Sequence, residues 1–472
     1  MGNKLKEGFL FTTLAQIVNV VSVLLINIIL SHKLTPADFG IITLVQVIAT
    51  FMNLFTSEAV PSALIQNKKL ANNDYGILFN FSLILGMMAT VIFIGIGYII
   101  AMLYNNTIYI SITYAMSILV LASFANCVPQ GLFLKGLNFK ALSLRRIISS
   151  FLGLISGIIG VYSGIGMYAI ILTLVVPVVF TLIFNLLYIK IPFTNKLDFR
   201  PLRIISLYLV EQTKFSLLNY GYRNVDNILI GKFLGPASLG YYSKSYQLLS
   251  QPITLFLGII TPVLQPVLSK YEGNFVYLKN FYLKITQVIA FLAIPLSLFF
   301  SINSKEIIYF LFGRQWTGAI LPMSLLSISI WVQLLTQVIT PLWQSANFPK
   351  LQTRNGEISF GLIFFCIIIG LFSHSIIFVA AAVSIAYYVN FVISAKMLLK
   401  FALKSNLNEL VRILEAPIFS GIVNLATLLV LKYFISFESL FLTLVFRGVF
   451  WLLEVYIYLL VTGNLKKIIS IF

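Results

Sequence analysis

The sequence predicts an all-α integral membrane protein, and three observations carry that prediction. Hydrophobic residues fill 59% of the 472 positions and charged residues only 10%, where soluble domains average about 25% charged. Apolar runs long enough to cross a bilayer, about 20 residues each, recur from Gly8 to Val461 with no long polar segment between them. The net charge of +18, from 32 Lys and Arg against 14 Asp and Glu, is sorted to the ends of these runs. That bias is the positive-inside pattern of a polytopic protein, so the expected surroundings are the lipid bilayer and no nucleic acid partner is expected.

The elements follow in order. The run from Gly8 to Leu30 comes after Lys4 and Lys6 but is too long for a signal peptide, and no Ala-x-Ala site follows, so it reads as a retained first span. Further windows fall at 38–63, 76–104, 108–134, 147–164, 167–189, 212–233, 237–268, 283–303, 317–345, 358–373, 376–396, 413–433 and 439–462, about fourteen transmembrane helices in all. Numbered alternately, they place most of the basic residues on the side of the amino terminus. The opposite side receives only Lys33, Lys232, Lys305, Arg314 and Lys432, while Arg223, Lys244 and Arg447 fall inside spans. Both termini are therefore expected to be cytoplasmic; twelve spans is the alternative if two windows are misread. Cys127 and Cys366 lie deep in apolar runs and read as packing residues.

An internal repeat organises the chain. Asn27-Ile28-Ile29-Leu30 followed by Leu34-Thr35-Pro36-Ala37-Asp38-Phe39-Gly40 recurs without a gap as Asn227-Ile228-Leu229-Ile230 and Leu234-Gly235-Pro236-Ala237-Ser238-Leu239-Gly240. The copies sit at the junctions of spans one and two and of spans seven and eight, six spans apart and in the same orientation. That spacing predicts two six-helix bundles related by a parallel pseudo-twofold repeat. Pro36 and Pro236 suit a first helical turn, Thr35 suits a cap, and Gly235 suits a helix end. The expected organisation is a first bundle over 1–190, an amphipathic cytoplasmic connector over 191–211, a second bundle over 212–400, and two additional helices over 401–472.

Polar residues inside spans mark candidate sites, because charge at mid-bilayer costs about 2.5 to 3.5 kcal/mol on insertion scales. Asn219, Arg223 and Asp226 share one face of the seventh span, and Lys244, Gln247 and Gln251 one face of the eighth. Gln16, Asn19 and Asn27, then Gln46, Asn53 and Glu58, occupy the first two spans, and Gln333, Gln337 and Gln344 the tenth. Taken singly, the amides read as interhelical hydrogen bonding. Arg223 with Lys244 reads as the lining of a cationic cavity that binds substrate, since Asp226 can satisfy only one of the two. Glu58 and Asp226 are the candidates for ion coupling, and Arg447 with Glu454, two turns apart, reads as a structural pair. His32 and His374 stand far apart, no metal-ligand spacing is present, and Gly231-Lys232 lacks the remainder of a phosphate-binding loop, so neither enzymatic chemistry nor a metal or other cofactor is expected.

At these residues the chain resembles the polysaccharide transporter family, the Wzx-type flippases of the multidrug/oligosaccharidyl-lipid/polysaccharide superfamily. The carriers are Leu34 to Gly40, then Asn224-Val225-Asp226-Asn227-Ile228-Leu229-Ile230-Gly231-Lys232-Phe233-Leu234-Gly235, and Leu239-Gly240-Tyr241-Tyr242-Ser243 with Tyr246-Gln247-Leu248. The resemblance implies a MATE- or MurJ-like architecture in a bacterial cytoplasmic (inner) membrane. It implies alternating access that moves an undecaprenyl-diphosphate-linked oligosaccharide to the outer leaflet for O-antigen, capsule or exopolysaccharide assembly. H+ or Na+ is a candidate coupling ion, and a polysaccharide polymerase with chain-length machinery are candidate partners. A small-molecule exporter of the same superfamily shares the architecture. A membrane polysaccharide polymerase is disfavoured because no long outer loop is predicted.

Overall fold

The computed structural model describes the backbone from residue 2 to residue 463, except positions 55, 57–58, 68–69, 137–138, 193, 195–197, 270, 272, 347 and 436. Also outside the description are the side chains of residues 2–10, 66, 139, 207, 211, 214–215, 218–219, 222–223, 257–267, 269, 344–345 and 349. No strand occurs among the described residues. The chain divides into two compact units, Met1–Gly240 and Tyr241–Phe472.

The first unit contains α1 (Gly2–Lys33), α2 (Pro36–Leu54), α3 (Val60–Gln66), α4 (Asn72–Tyr104), α5 (Ile108–Lys135), α6 (Phe139–Tyr162), α7 (Tyr168–Tyr188) and the first leg of α8 (Arg200–Ser269). The second contains α9 (Phe275–Ile302), α10 (Ser304–Phe312), α11 (Ile320–Ser327), α12 (Ile330–Ser345), α13 (Pro349–Leu371), α14 (Ile376–Met397), α15 (Leu407–Phe434) and α16 (Leu440–Val461). Among the described residues eleven helices are long and apolar enough to span a membrane, and the bent pair Arg314–Ser327 and Ile330–Trp343 makes a twelfth. The seventh and eighth expected windows lie on the two legs of α8, partly outside the described side chains, so a count of fourteen is not reached among the described residues.

The repeated junctions form for local reasons. At the first, Thr35 and Asp38 cap α2 reciprocally: the Thr35 N–H and hydroxyl donate to Asp38 Oδ2 at 2.9 and 2.8 Å, and the Asp38 N–H donates to Thr35 Oγ1 at 3.3 Å. Pro36 occupies the first turn, where its missing N–H has no intrahelical partner to lose. At the second, Gly235 takes φ +83 and ψ 172, breaking α8 into two legs, a conformation that carries no penalty only for glycine.

These junctions pack on each other. An ideal Cβ built on Gly40 would stand 1.8 Å from the Pro236 carbonyl oxygen, and one on Gly240 would stand 1.9 Å from the Pro36 carbonyl oxygen. Each Pro-x-x-x-Gly turn thus presents its glycine to the other's proline carbonyl, a self-complementary contact between backbones that only small residues permit. Around it, Lys232 Nζ donates to the Leu103 carbonyl at 2.7 Å and lies 5.4 Å from the Tyr104 ring, and Lys33 lies 5.8 Å from the Tyr162 ring.

The far end of the first unit closes over a core of Val60, Leu64, Tyr75, Leu78, Cys127 and Val128, into which Ile205 and Leu209 of α8 insert. Arg200 and Arg203 stay exposed on the opposite face. Pro192 and Thr194 lie against α4, where Asn80 Nδ2 donates to the Thr194 carbonyl at 2.7 Å. The compact unit therefore extends past the expected connector to Gly240.

In the second unit the α15–α16 pair is docked on α9: Gly421 packs against Ile294, and Phe291, Val455 and Leu459 form a buried cluster. The expected Arg447–Glu454 pair is not formed. Arg447, 2% exposed, instead contacts Glu306 Oε1 and Asn303 Oδ1, each at 2.8 Å, and the Ile435 carbonyl. Glu454 accepts from Asn424 Nδ2 at 2.7 Å. Spacing along one helix could not reveal that a buried guanidinium would find its acid on α10.

Candidate functional site

In the first unit, α1 and α2 carry the expected amides half-buried. Asn19 Oδ1 accepts from the Ser150 hydroxyl of α6 at 2.9 Å, and Asn27 Nδ2 donates to its own helix at Val23. Asn53 Oδ1 is buried with no hydrogen-bond partner among the described residues. Gln16 and Gln46 lie on the same two helices, half-buried. Asp226 is 7% exposed and accepts from the Asn227 N–H at 2.8 Å. The side chains of Asn219 and Arg223, and all of Glu58, lie outside the described residues.

In the second unit, Lys244 is 2% exposed. Its ammonium lies 5.0 Å from the Phe312 ring and 5.8 Å from the Trp316 ring, an arrangement in which ring quadrupoles replace part of its lost hydration. Tyr241 packs edge-on to Trp316 and the Ser245 hydroxyl donates to the Ala319 carbonyl at 3.0 Å, so the start of the second α8 leg is fixed on this aromatic corner. Gln247 and Gln251 follow it, half-buried.

The structure also presents a cation that sequence reading assigned to a cytoplasmic helix end. Arg145, at the start of α6, is 8% exposed. Its Nη1 donates to Gln130 Oε1 of α5 at 2.7 Å and to Asn185 Oδ1 of α7 at 2.6 Å, and its guanidinium carbon lies 5.0 Å from the Phe133 ring. Asn185 Nδ2 in turn donates to Asn126 Oδ1 and Gln130 Oε1 at 2.8 and 3.1 Å. Among the described residues no carboxylate pairs with Arg145. The missed signal was the placement of Asn126, Gln130 and Asn185 within apolar windows, beside a helix that carries Arg145 in its second turn.

The result in the first unit is a fixed positive charge held by neutral amides, with further amides along α1 and α2. Guanidinium donors can meet anions and amides can meet hydroxyl-rich groups. No group of three or more His, Cys, Asp or Glu suited to a metal ion occurs among the described residues.

These features define a multi-pass helical membrane protein with polar and cationic positions inside its helix bundles. The family model described as polysaccharide biosynthesis protein matches residues 29–321, and the chain belongs to that family. It is 24% identical over 356 residues to an uncharacterized membrane protein in the cps region of Klebsiella pneumoniae, an alignment covering 73% of this chain and 72% of that one. It is also 24% identical to the teichuronic acid biosynthesis protein TuaB of Bacillus subtilis, covering 57% of this chain and 56% of that one, little more than half the relative's length. In fold it is similar to the lipid II flippase MurJ in an inward closed conformation, with a TM-score of 0.78 at 14% identity, over 97% of this chain and 99% of that one.

Proposed function

We propose that the protein flips an undecaprenyl-diphosphate-linked oligosaccharide repeat unit from the inner to the outer leaflet of a bacterial cytoplasmic membrane, for assembly of a surface polysaccharide. The observation that carries this reading is Arg145, a buried cation held by amide oxygens and the Phe133 ring, with no carboxylate partner among the described residues. A diphosphate crossing a low-dielectric path needs fixed positive charge along it, whereas a neutral or cationic drug does not. TuaB is named for teichuronic acid biosynthesis and MurJ as a lipid II flippase, names that support a glycan or a glycan-bearing lipid as the cargo.

On this reading the termini are cytoplasmic and the two repeats, 1–190 and 212–400, alternate access to the two leaflets. The reciprocal Gly40–Pro236 and Gly240–Pro36 contact, at the end poor in Lys and Arg, is the outer closure. Arg223 and Asn219 join Arg145 as head-group contacts, and Gln16, Asn19, Gln46, Asn53, Gln247 and Gln251 accommodate sugar hydroxyls. Lys244 engages cargo only when it leaves its aromatic corner. Asp226 and Glu58 are the carboxylates through which H+ or Na+ would couple, and a polymerase with its chain-length machinery receives the product.

The test is deletion of the gene followed by mass analysis of lipid extracts and surface glycan, with wild type, Arg145→Ala and Arg223→Ala restored in parallel. Diphosphate-linked oligosaccharide that accumulates, with surface polymer lost and rescued by wild type alone, is the expected result. Unchanged lipids and glycan together with altered drug tolerance would overturn it in favour of a small-molecule exporter.

A further inference from the structure

A cleft of about 670 Å³ opens beside the start of α9 and the turn that leads from α14 into α15, walled by residues 273–276, Lys279, Leu403 and Lys404. This end of the second unit also bears exposed Lys396 and Lys400. The charge bias of the whole chain therefore puts it at the cytoplasmic leaflet.

The two lysines of the wall are not equivalent. Lys279 Nζ lies 3.1 Å from Glu409 Oε2 and is largely neutralised. Lys404 has no carboxylate within ion-pair distance among the described residues, and its ammonium lies 5.6 Å from the Phe275 ring. Its backbone holds φ +50, just past the π turn Leu398–Ala402, where the Ser405 N–H donates to the Leu399 carbonyl at 2.8 Å. A left-handed residue closing a helix is ordinarily Gly or Asn, so a lysine stands here against the local backbone preference.

The rim is that of a membrane interface and not of a site for a soluble anion. Val276 and Phe401 are exposed, and the Tyr271 and Tyr277 rings stack 3.7 Å apart. Aromatic and apolar side chains beside lysines are the composition found where head groups meet acyl chains, and basic pockets between membrane helices take phosphate head groups.

We infer that this cleft binds the phosphate head group of a lipid in the cytoplasmic leaflet, with Lys404, which has no ion-pair partner among the described residues, supplying one charge and Lys279, held by Glu409, a second donor. The phosphate belongs either to a resident phospholipid or to a polyprenyl phosphate carrier. The inference does not depend on which oligosaccharide, if any, is transported.

The experiment is native mass spectrometry of the full-length protein released from nanodiscs that contain phosphatidylcholine with phosphatidylglycerol, counting retained lipid. Lys404→Gln and Lys404→Gly are expected to retain about five-fold less phosphatidylglycerol, the effect of one lysine near an anionic lipid surface. Lys404→Gly should unfold at the same or a higher temperature than wild type, which separates lost binding from lost structure. Lys305→Gln, which removes an exposed lysine from the opposite end, should retain the wild-type amount. Added undecaprenyl phosphate identifies the source: displacement of phosphatidylglycerol at equimolar amounts assigns the site to the carrier, and no displacement assigns it to the phospholipid. Wild-type retention by both Lys404 variants, or an equal loss in Lys305→Gln, would overturn the assignment. Loss of lipid binding with normal glycan export would leave the lipid site standing while removing it from transport.

Discussion

Replacing Gly40 with alanine puts a methyl group where the junction leaves no room. The new Cβ would stand 1.8 Å from the Pro236 carbonyl oxygen and 2.7 Å from its carbon, whereas side-chain carbons essentially never come closer than 3.0 Å. Both offending atoms are backbone, so no rotamer change relieves the clash and the two turns must part by more than 1 Å. Overpacking of this kind typically costs about 1–3 kcal/mol. The helix-propensity gain of alanine over glycine acts on both conformations alike and cancels from the equilibrium between them. If the contact is the outer closure, the open-to-closed ratio should rise by about 5- to 150-fold. The assay is pulsed electron paramagnetic resonance between spin labels at Lys33→Cys and Lys232→Cys, exposed positions flanking the two junctions, with Cys127 and Cys366 replaced by alanine. Gly40→Ala and Gly240→Ala should both enrich the long-distance population, to similar extents because the contact is reciprocal. Gly95→Ala, whose Cβ would meet nothing within 4 Å, serves as the neutral reference. Distance distributions for Gly40→Ala that match those of Gly95→Ala would refute the assignment of the junction as a gate.

Other outcomes follow from the same geometry. Arg447→Met leaves the Glu306 carboxylate buried without its cation and should destabilise the protein by about 3–5 kcal/mol, read as a lowered midpoint in detergent thermal unfolding, with partial recovery when Glu306→Gln is added. Gly235→Ala forces a side chain into a positive-φ, extended conformation essentially reserved for glycine at the α8 break and should cost about 1–3 kcal/mol, measured the same way. Arg145→Met takes the donor from Asn185 Oδ1, while Gln130 Oε1 keeps Asn185 Nδ2, at about 1–3 kcal/mol for the acceptor left unsatisfied, and should abolish glycan export at matched protein levels. Arg145→Lys keeps the charge but loses the planar guanidinium, whose Nη1 meets both amides while its other donors stay aimed for an anion, and should export only in part.

The spans and the duplicated junction were legible because each is written locally. Twenty apolar residues announce a membrane helix wherever they stand, and Thr35, Pro36 and Asp38 cap a helix by contacts within four residues. Even Gly235 is readable, since a glycine before a proline at a span boundary marks a chain reversal. The sites were legible only as lists of suspicious residues. Helical periodicity shows which side chains share a face, as with Lys244, Gln247 and Gln251, but not what the face meets. Lys244 finds its aromatic corner about 70 residues away at Phe312 and Trp316. Arg447 finds Glu306 across 141 positions while the acid in its own helix, Glu454, bonds elsewhere. Arg145 lost its place among the candidates because alternating topology counts any arginine near a span end as an anchor in the head-group region, and burial by α5 and α7 is a property of packing.

Arg145 and Arg447 show why burial alone does not mark a transport site. Both are nearly inaccessible, and both tie three segments of chain together. Arg447 is held by a carboxylate, a carbonyl and an amide, so its charge is spent inside the α9–α10 and α15–α16 corner. A well-packed apolar pair at 306 and 447 could replace that function without loss. Arg145 is held by amide oxygens, which orient the guanidinium without cancelling it. If holding α5, α6 and α7 together were its only role, a neutral donor would do so without the desolvation penalty of a full charge. The Phe133 ring uses part of that charge, and on the proposed reading an anionic cargo passing the first unit would use the rest.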